Sequence, residues 1–303
     1  MHIVFNLHNV GLGNNGGSRT LIRCAETLSL LGHDVTLFSN HPNKYTWHNM
    51  QGVEFHRGDR QPSADLTIAT GYNSVPSVLR SKSDKKVYYI RGYETWVTSE
   101  KNLFKSYKSL KCIVNSMWLK KHLKSKGVKS YIVYPGLDLD WFYYESGKRD
   151  RLMGALFSKK HATKRHVDAQ KVAEKVGCKL VMLNKDIRAP KVPRLREWYN
   201  TIRVWFAPIE LEGLHNPPME AALCGCAVVA TDHPRSGMGD YINGDTALTY
   251  SARDLDVAAQ AVESLLDDPE RCDQLSVNMK SLLLEKMGTR KANMERFLSC
   301  VGK

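Results

Sequence analysis

Two glutamates eight positions apart, Glu212 and Glu220, have the residue type and spacing best suited to chemistry on a ligand. A Gly-Leu-His-Asn-Pro-Pro-Met segment separates them, and an apolar stretch follows the second one. Proline suits the first turn of a helix, where its missing N–H has no intrahelical partner, so Pro217 or Pro218 predicts a helix that begins here. A helix N-terminus carries free amides and a positive dipole end, which attract phosphate. The segment therefore combines two hydrogen-bond-accepting carboxylates with a site for an anion.

Apolar segments flank these glutamates on both sides. Trp205-Phe206-Ala207-Pro208 precedes Glu212, and residues 226–232 form a short, β-branched run typical of a buried parallel strand. The predicted order is a strand, the loop that carries Glu212 (the glutamate loop), a helix that carries Glu220, and a second strand. This order and the Glu-x7-Glu spacing resemble the retaining glycosyltransferases of the GT-B fold, family 4 (group 1 type).

The resemblance implies roles for the residues of the glutamate loop. Glu212 would lie at the transferred sugar, and Glu220 would accept hydrogen bonds from the nucleotide ribose. The residues between them would line the donor site, namely Gly213, Leu214, His215 and Asn216. Most of the family has Gly where this chain has His215, and Leu where it has Asn216. His215 can donate to a hydroxyl or a phosphate, or it can cap the loop, and both interpretations fit.

Basic residues in the second half match another element of the family. Lys159 and Lys164 are five positions apart, the spacing at which the family clamps the donor pyrophosphate. Two cations would neutralise the charge that develops on the leaving nucleoside diphosphate. Lys160 and Arg165 are adjacent alternatives, and a solvated basic loop is the plain interpretation. No cofactor and no metal are expected, because these cations and the helix N-terminus replace a metal.

An Asp-x-Asp pair is a candidate metal site. Asp138 and Asp140 have the residue types that metal-dependent GT-A transferases use. They lie in the segment that would join the two domains rather than beside a donor pocket. The sequence therefore predicts no metal ligands.

The first half begins with a strand, a Gly-rich loop, a helix and a second strand, the opening of a doubly wound sheet. By position, Gly16 and Gly17 match the family's Gly pair, which approaches the donor phosphates or the acceptor, although a tight turn would also need Gly. Arg91 and Glu94 follow a predicted strand at residues 86–90, at the carboxyl edge where open α/β sheets bind ligands. They are predicted on the acceptor side, with a surface ion pair as the alternative.

The length of 303 residues predicts two domains, 1–147 on the acceptor side and 148–303 binding the nucleotide sugar. The expected fold is α/β, a GT-B fold of two Rossmann-like doubly wound domains facing a central cleft, with the last helix packing back on the first domain. The seven cysteines are scattered and match no zinc pattern, which favours a reducing, cytoplasmic location. No apolar run approaches the roughly 18 residues of a membrane span.

Positive charge is concentrated in the middle of the chain. The net charge is +13, and residues 101–200 hold 24 Lys and Arg against eight Asp and Glu. Residues 101–111 predict an amphipathic helix with Lys101, Lys105 and Lys108 on one face, suited to an anionic membrane surface. The same charge suits a nucleic-acid backbone.

Three functions remain open. The acceptor of the transferred sugar is predicted to be a glycan or a lipid-linked glycan at a membrane surface. A phage-type enzyme that glycosylates a hydroxymethylated DNA base is the alternative, and it would flip the base out of the duplex. A non-catalytic protein that binds sugar nucleotides or nucleic acid is the third. The transferred sugar is expected to be a hexose or a pentose.

Overall fold

The structure is a computed structural model that describes residues 1–41, 47–145, 147, 149–159, 162–184 and 190–302. Lys160, one of the alternative phosphate-binding cations, lies outside these residues. The chain divides into two compact units: unit 1 comprises Met1–Gly136 and Gly288–Lys303, and unit 2 comprises Leu137–Met287. In the described residues, no helix is long and apolar enough to cross a membrane.

Unit 1 is built on a parallel sheet of seven strands within the described residues, in the order β3-β2-β1-β4-β5-β6-β7. The strands are β1 (His2–Asn6), β2 (Asp34–Ser39), β3 (Glu54–Arg57), β4 (Ala64–Ala69), β5 (Ser83–Ile90), β6 (Lys111–Val114) and β7 (Ser130–Ile132). The helices of this unit are α1 (Gly16–Leu30), α2 (Val75–Arg80), α3 (Glu100–Ser109), α4 (Met117–Ser125) and α10 (Arg290–Gly302). The central strands are buried on both faces, as parallel strands require, which explains their continuous apolar sequences.

The C-terminal helix α10 is part of the core of unit 1. It packs against α1 and β6, and Phe297 stacks edge-on against Tyr89 of β5 with their ring centroids 5.5 Å apart. The buried guanidinium of Arg290 donates to the carbonyl oxygen of Pro135 at 2.6 Å and to that of Gly136 at 3.3 Å. Gly136 has φ +76°, and an added Cβ would lie 2.4 Å from the Cα of Arg290, so glycine is required at that position.

Unit 2 has a second parallel sheet, five-stranded within the described residues, in the order β12-β11-β10-β8-β9. Its strands are β8 (Leu152–Phe157), β9 (Lys179–Asn184), β10 (Val204–Ala207), β11 (Ala227–Thr231) and β12 (Leu248–Tyr250). Its helices are α5 (His166–Val176), α6 (Val192–Thr201), α7 (Asn216–Leu223), α8 (Leu255–Asp267) and α9 (Pro269–Met287). The core lies between the sheet and the helices α5 and α8, whose apolar faces recur at helical spacing.

Candidate functional site

The strand order of unit 2 determines where its candidate residues meet. The chain runs from β8 outward to β9 and then returns to β10 on the other side of β8. The carboxyl ends of β8 and β10 therefore form the switch point of the sheet, the place where open α/β folds bind ligands. Lys164 follows β8 and Glu212 follows β10, so the topology brings these two residues to the same edge.

Lys164 and Glu212 form a direct ion pair across this switch point. The Lys164 side chain is 8% exposed and the Glu212 side chain 27% exposed, so the cation is the more enclosed partner. The backbone joins the same two loops, because the Glu210 N–H donates to the Thr163 carbonyl at 3.3 Å. Lys159, the other predicted phosphate cation, is exposed at the beginning of the loop that follows β8.

Arg165, the alternative cation, is held by two carboxylates. It adopts a left-handed conformation (φ 47°) before α5, bonds both oxygens of Asp168, and reaches Glu210 Oε1 at 3.1 Å. The side-chain hydrogen bonds that Arg165 donates to Asp168 are the main cause of a raised pKa for the Arg165 guanidinium, so it stays charged. Its charge is neutralised locally, and it stabilises the loop next to Lys164.

A third loop, after β11, holds the glutamate loop in place. The Glu212 N–H donates to the Arg235 carbonyl at 3.0 Å, and the His215 N–H donates to the Gly237 carbonyl at 3.2 Å. The Tyr241 hydroxyl donates to the His215 carbonyl at 2.6 Å. The loop that carries Glu212 is therefore fixed by hydrogen bonds to its backbone, which leaves its side chains for other contacts.

His215 is buried against the glutamate loop. Its side chain is 1% exposed, and Nδ1 lies 4.0 Å from Glu212 Oε1. Gly213 and Leu214 are buried beside it, and an added Cβ on Gly237 would lie 2.9 Å from the Gly213 carbonyl oxygen. This part of the loop is packed closely against the loop after β11.

The helix α7 begins at Asn216, with the two prolines in its first turn as predicted. Because Pro217 and Pro218 lack an N–H, only Asn216 and Met219 among the first four helical residues can donate from the backbone. The helix dipole is present, but this end offers fewer amides to an anion than an ordinary helix. Cationic side chains are correspondingly more important for binding phosphate here.

Glu220 lies on α7 and is 8% exposed. Its Oε2 accepts a hydrogen bond of 3.1 Å from the hydroxyl of Tyr199, a fully buried residue of α6. The sequence predicted no role for Tyr199 or Tyr241. Both contacts join segments distant in the sequence, so no local pattern pointed to them.

The candidates of unit 1 lie at the switch point of its own sheet, between β1 and β4. Arg91 donates to the Gly17 carbonyl of α1 at 2.6 Å and to the Thr70 carbonyl after β4 at 2.7 Å. Gly16 and Gly17 are the first residues of α1, whose N-terminus is capped by the Asn15 side chain. Arg91 therefore joins the first turn of α1 to the loop that follows β4.

Glu94 is enclosed in the same region. Its Oε2 accepts from the Tyr88 hydroxyl at 2.5 Å and from the Tyr72 N–H at 2.9 Å. Burial raises the pKa of the Glu94 carboxyl, while these hydrogen bonds and the charge of Arg91 act in the opposite direction. In the described residues, Glu94 bonds Tyr88 and Tyr72, whereas Arg91 bonds two backbone carbonyls.

The basic helix α3 uses its apolar face inside unit 1. Leu103 and Tyr107 are fully buried, whereas Lys101, Lys105 and Lys108 are exposed. Its amphipathic character is therefore explained by packing on its own sheet. Trp96, which is 62% exposed, lies in the loop just before this helix.

Metal-ligating residues are not clustered in the described part of the chain: no group of three or more His, Cys, Asp or Glu side chains could hold an ion there. The Asp138 carbonyl accepts the N–H groups of Trp141 and Phe142 and forms a turn.

Comparison with known protein families gives a match for part of unit 2. Residues 166–268 match the model of the family described as "Glycosyl transferases group 1", which confirms the resemblance for that part of unit 2. No curated protein sequence matches the chain.

Solved structures resemble the whole chain. Sucrose-phosphate synthase from Thermosynechococcus elongatus is 14% identical with a TM-score of 0.76, covering 99% of this chain and 98% of that one. HepE (Alr3699) of Anabaena, in complex with UDP and glucose, is 12% identical with a TM-score of 0.78, covering 100% and 99%. The lipopolysaccharide outer core galactosyltransferase WaaB is 10% identical with a TM-score of 0.70, covering 100% and 99%. The fold is the GT-B fold, with two Rossmann-like units, as predicted.

Proposed function

We propose that this chain is a glycosyltransferase that moves a sugar from a nucleotide diphosphate sugar to an acceptor hydroxyl, with retention and without a metal. The observation that carries the proposal is the meeting of Lys164 and Glu212 at the switch point of the unit 2 sheet. The match of residues 166–268 to group 1 glycosyltransferases supports it.

The donor is proposed to bind along the carboxyl edge of the unit 2 sheet. HepE, which shares the fold, is solved with UDP and with UDP-glucose, and this supports a nucleotide sugar as the ligand. Lys164 and the exposed Lys159 would hold the pyrophosphate. Glu220 would accept hydrogen bonds from the ribose, and Glu212 would contact the transferred sugar together with His215.

The chemistry under this proposal is positioning and charge stabilisation. The bond between the anomeric carbon and the phosphate oxygen breaks, and a bond to the acceptor oxygen forms on the same face of the sugar. The acceptor's proton passes to the leaving phosphate. Lys164 and Lys159 stabilise the charge that develops on that phosphate, and Lys164 acts strongly because it is enclosed and already held in place.

The acceptor is proposed to bind on unit 1, near Arg91 and Glu94. A glycan or a lipid-linked glycan is favoured, and WaaB, whose name gives lipopolysaccharide outer core as its context, supports that class. The exposed lysines of α3 and the exposed Trp96 suit an anionic membrane surface, where an indole ring sits between water and apolar chains. A hydroxymethylated base in DNA is the second candidate, because the same lysines suit a phosphate backbone.

The experiment that tests the proposal measures release of nucleoside diphosphate from a panel of UDP-, GDP- and ADP-sugars with glycan and glycolipid acceptors. For the productive pair, we expect Glu212→Ala to lower kcat/KM by about 100-fold or more. Chelation with EDTA should leave the rate unchanged. Glu263→Ala, an exposed carboxylate of α8, is the matched control and should leave the rate unchanged.

Two outcomes would contradict this proposal. Transfer that persists in Glu212→Ala would remove the assigned site, and binding of nucleotide sugar without transfer to any acceptor, water included, would favour a non-catalytic binding protein. The anomeric configuration of the product, read by NMR, tests retention separately. An inverted product would overturn retention while leaving glycosyl transfer standing.

A further inference from the structure

Tyr199 contacts a residue of the proposed donor site from inside the core of unit 2. It is fully buried on α6, and its hydroxyl donates to Glu220 Oε2 at 3.1 Å. Glu220 is itself 8% exposed and lies on the neighbouring helix α7. The hydrogen bond thus joins two helices at a carboxylate that the sequence pattern associates with the ribose.

The tyrosine ring is held by other aromatic rings. Its centroid lies 5.4 Å from that of Trp205 in β10 and 6.0 Å from that of Phe142, both in edge-on geometry. Trp198, its neighbour on α6, is 5.3 Å away. Packed aromatic side chains have little freedom, so the position of the hydroxyl is determined by the core rather than by the ligand.

A glutamate side chain, by contrast, holds its carboxylate in one orientation only when a further contact restrains it. The last torsion of Glu is broad and roughly two-fold, so an unrestrained carboxylate samples many planes. A hydrogen bond from a fixed donor to one oxygen restricts that plane. The backbone of α7 sets where Glu220 is, and Tyr199 determines how its carboxylate faces.

We infer that Tyr199 is a positioning residue for the nucleotide ribose: its hydroxyl orients the Glu220 carboxylate to accept from a ribose hydroxyl. The inference rests on the proposed function, because it assumes that the donor nucleotide binds at Glu220. It deepens that proposal by assigning discrimination between ribose and deoxyribose to a Tyr199–Glu220 pair. A site built to bond a hydroxyl rejects the analogue that lacks it, because the buried carboxylate is then left without that partner.

The test compares two ligands and two tyrosine variants by calorimetry. The ligands are the tightest-binding nucleoside diphosphate among UDP, GDP and ADP, and its 2′,3′-dideoxy counterpart. We expect Tyr199→Phe to weaken the ribonucleotide about 5- to 10-fold, the loss of one hydrogen bond to a charged group. The dideoxynucleotide should lose less than about 2-fold, because it makes no hydrogen bond for the carboxylate to orient.

Tyr241→Phe is the matched comparator. It also removes a fully buried tyrosine hydroxyl of unit 2, but that hydroxyl bonds the His215 carbonyl rather than Glu220. Any effect of Tyr241→Phe should be equal for the two nucleotides. Thermal unfolding of both variants measures the general cost of losing a buried hydroxyl bond.

Kinetics and a double variant separate positioning from packing. Tyr199→Phe should raise the KM for the nucleotide sugar with little change in kcat, since ribose binding is equal in the ground and transition states. Tyr199→Phe combined with Glu220→Ala should bind the nucleotide no more weakly than Glu220→Ala alone. Equal losses for both nucleotides, or additive losses in the double variant, would overturn the inference.

Glu220→Ala distinguishes the positioning role of Tyr199 from the proposed function on which that role rests. If Glu220→Ala removes the preference for ribose but Tyr199→Phe does not, the positioning role is wrong and the donor site stands. If Glu220→Ala leaves the preference intact, the ribose role of Glu220 is itself wrong. If no nucleoside diphosphate binds, the proposed function fails.

Discussion

Lys164 and Glu212 come from loops that follow two adjacent strands of unit 2, and they form an ion pair at the point where the strand order reverses. Each residue is thereby the other's counter-charge when no ligand is bound. A diphosphate that binds Lys164 must compete with Glu212 for the ammonium group. The pair therefore links phosphate binding to the position of the carboxylate proposed to contact the sugar.

Because the two residues are paired, substituting Lys164 and substituting Glu212 should have different effects on nucleotide affinity. Lys164→Met should weaken nucleoside diphosphate binding by about 10- to 100-fold, since it removes a charge-assisted contact. Glu212→Gln should leave that affinity unchanged or slightly tighter, because Lys164 loses its competitor, while kcat falls. Calorimetry and steady-state kinetics measure the two effects. Weaker nucleotide binding by Glu212→Gln would contradict the competition.

The same pair predicts non-additive stability effects. Removing one partner leaves a partly enclosed charge, so each single substitution should lower the free energy of unfolding by about 1–3 kcal/mol, and the double substitution by less than the sum. The exposed pair Arg151–Asp267, with side chains 46% and 59% exposed, is the control. Its substitutions should cost less than about 1 kcal/mol in urea unfolding.

Gly237 should be needed for the position of the glutamate loop. It has φ +74°, and an added Cβ would lie 2.9 Å from the Gly213 carbonyl oxygen and 3.1 Å from that of Glu212. Gly237→Ala should therefore displace Glu212 and lower kcat by more than about 10-fold, with a stability cost of about 1–3 kcal/mol. Gly177→Ala is the control, with φ +63° and open space around the added Cβ. It should cost stability without changing kcat.

Glu94 should make the stability of unit 1 depend on pH. Burial raises the pKa of its carboxyl in the folded state, so the protonated form is favoured by folding. That stability is fully present below the pKa of the unfolded state and is lost as pH rises through the folded-state pKa. Glu94→Gln should remove this part of the pH dependence in denaturant unfolding from pH 4 upward. Glu54→Gln, on an exposed strand residue, should not.

Cysteine reactivity should be confined to one residue. All seven cysteines lie within the described residues, and six of them are buried, whereas Cys178 is half-buried. Burial raises the pKa of the Cys112 thiol to about 12 and that of Cys272 to about 12, which suppresses the thiolate that alkylating reagents attack. Iodoacetamide should modify Cys178 first and the other six only on unfolding. Mass spectrometry identifies the modified residue.

The exposed lysines of α3 should determine which anionic surface the protein binds. Charge reversal of Lys101, Lys105 and Lys108 to Glu should abolish binding to vesicles of anionic phospholipid at about 150 mM salt. Reversal of Lys280 and Lys286 on α9 should leave that binding intact, since both are exposed in unit 2. Duplex DNA is tested as the competing ligand. Binding to DNA that survives this salt concentration and is not displaced by vesicles would favour the DNA-modifying alternative.

Local sequence patterns predicted the strands and helices of both units, and the resemblance to group 1 glycosyltransferases implied the GT-B fold. Alternation between buried strands and amphipathic helices depends on short-range periodicity, and the strands predicted at residues 86–90 and 226–232 agree with β5 and β11. Pro217 and Pro218 predicted the start of α7 because proline acts on its own turn. The spacing of Glu212 and Glu220 identified the group 1 pattern for the same reason, since both belong to one continuous segment.

Contacts between segments distant in the sequence were decided only by the tertiary structure. The pairing of Lys164 with Glu212 requires β10 to lie beside β8, and the contact of Tyr199 with Glu220 requires α6 to pack against α7. The sequence placed Arg91 after a strand, and only the tertiary structure showed that it bonds a carbonyl of α1 and a carbonyl after β4. The apolar face of α3 suggested a membrane contact but packs on its own sheet, because periodicity shows that a face will be buried without showing what buries it.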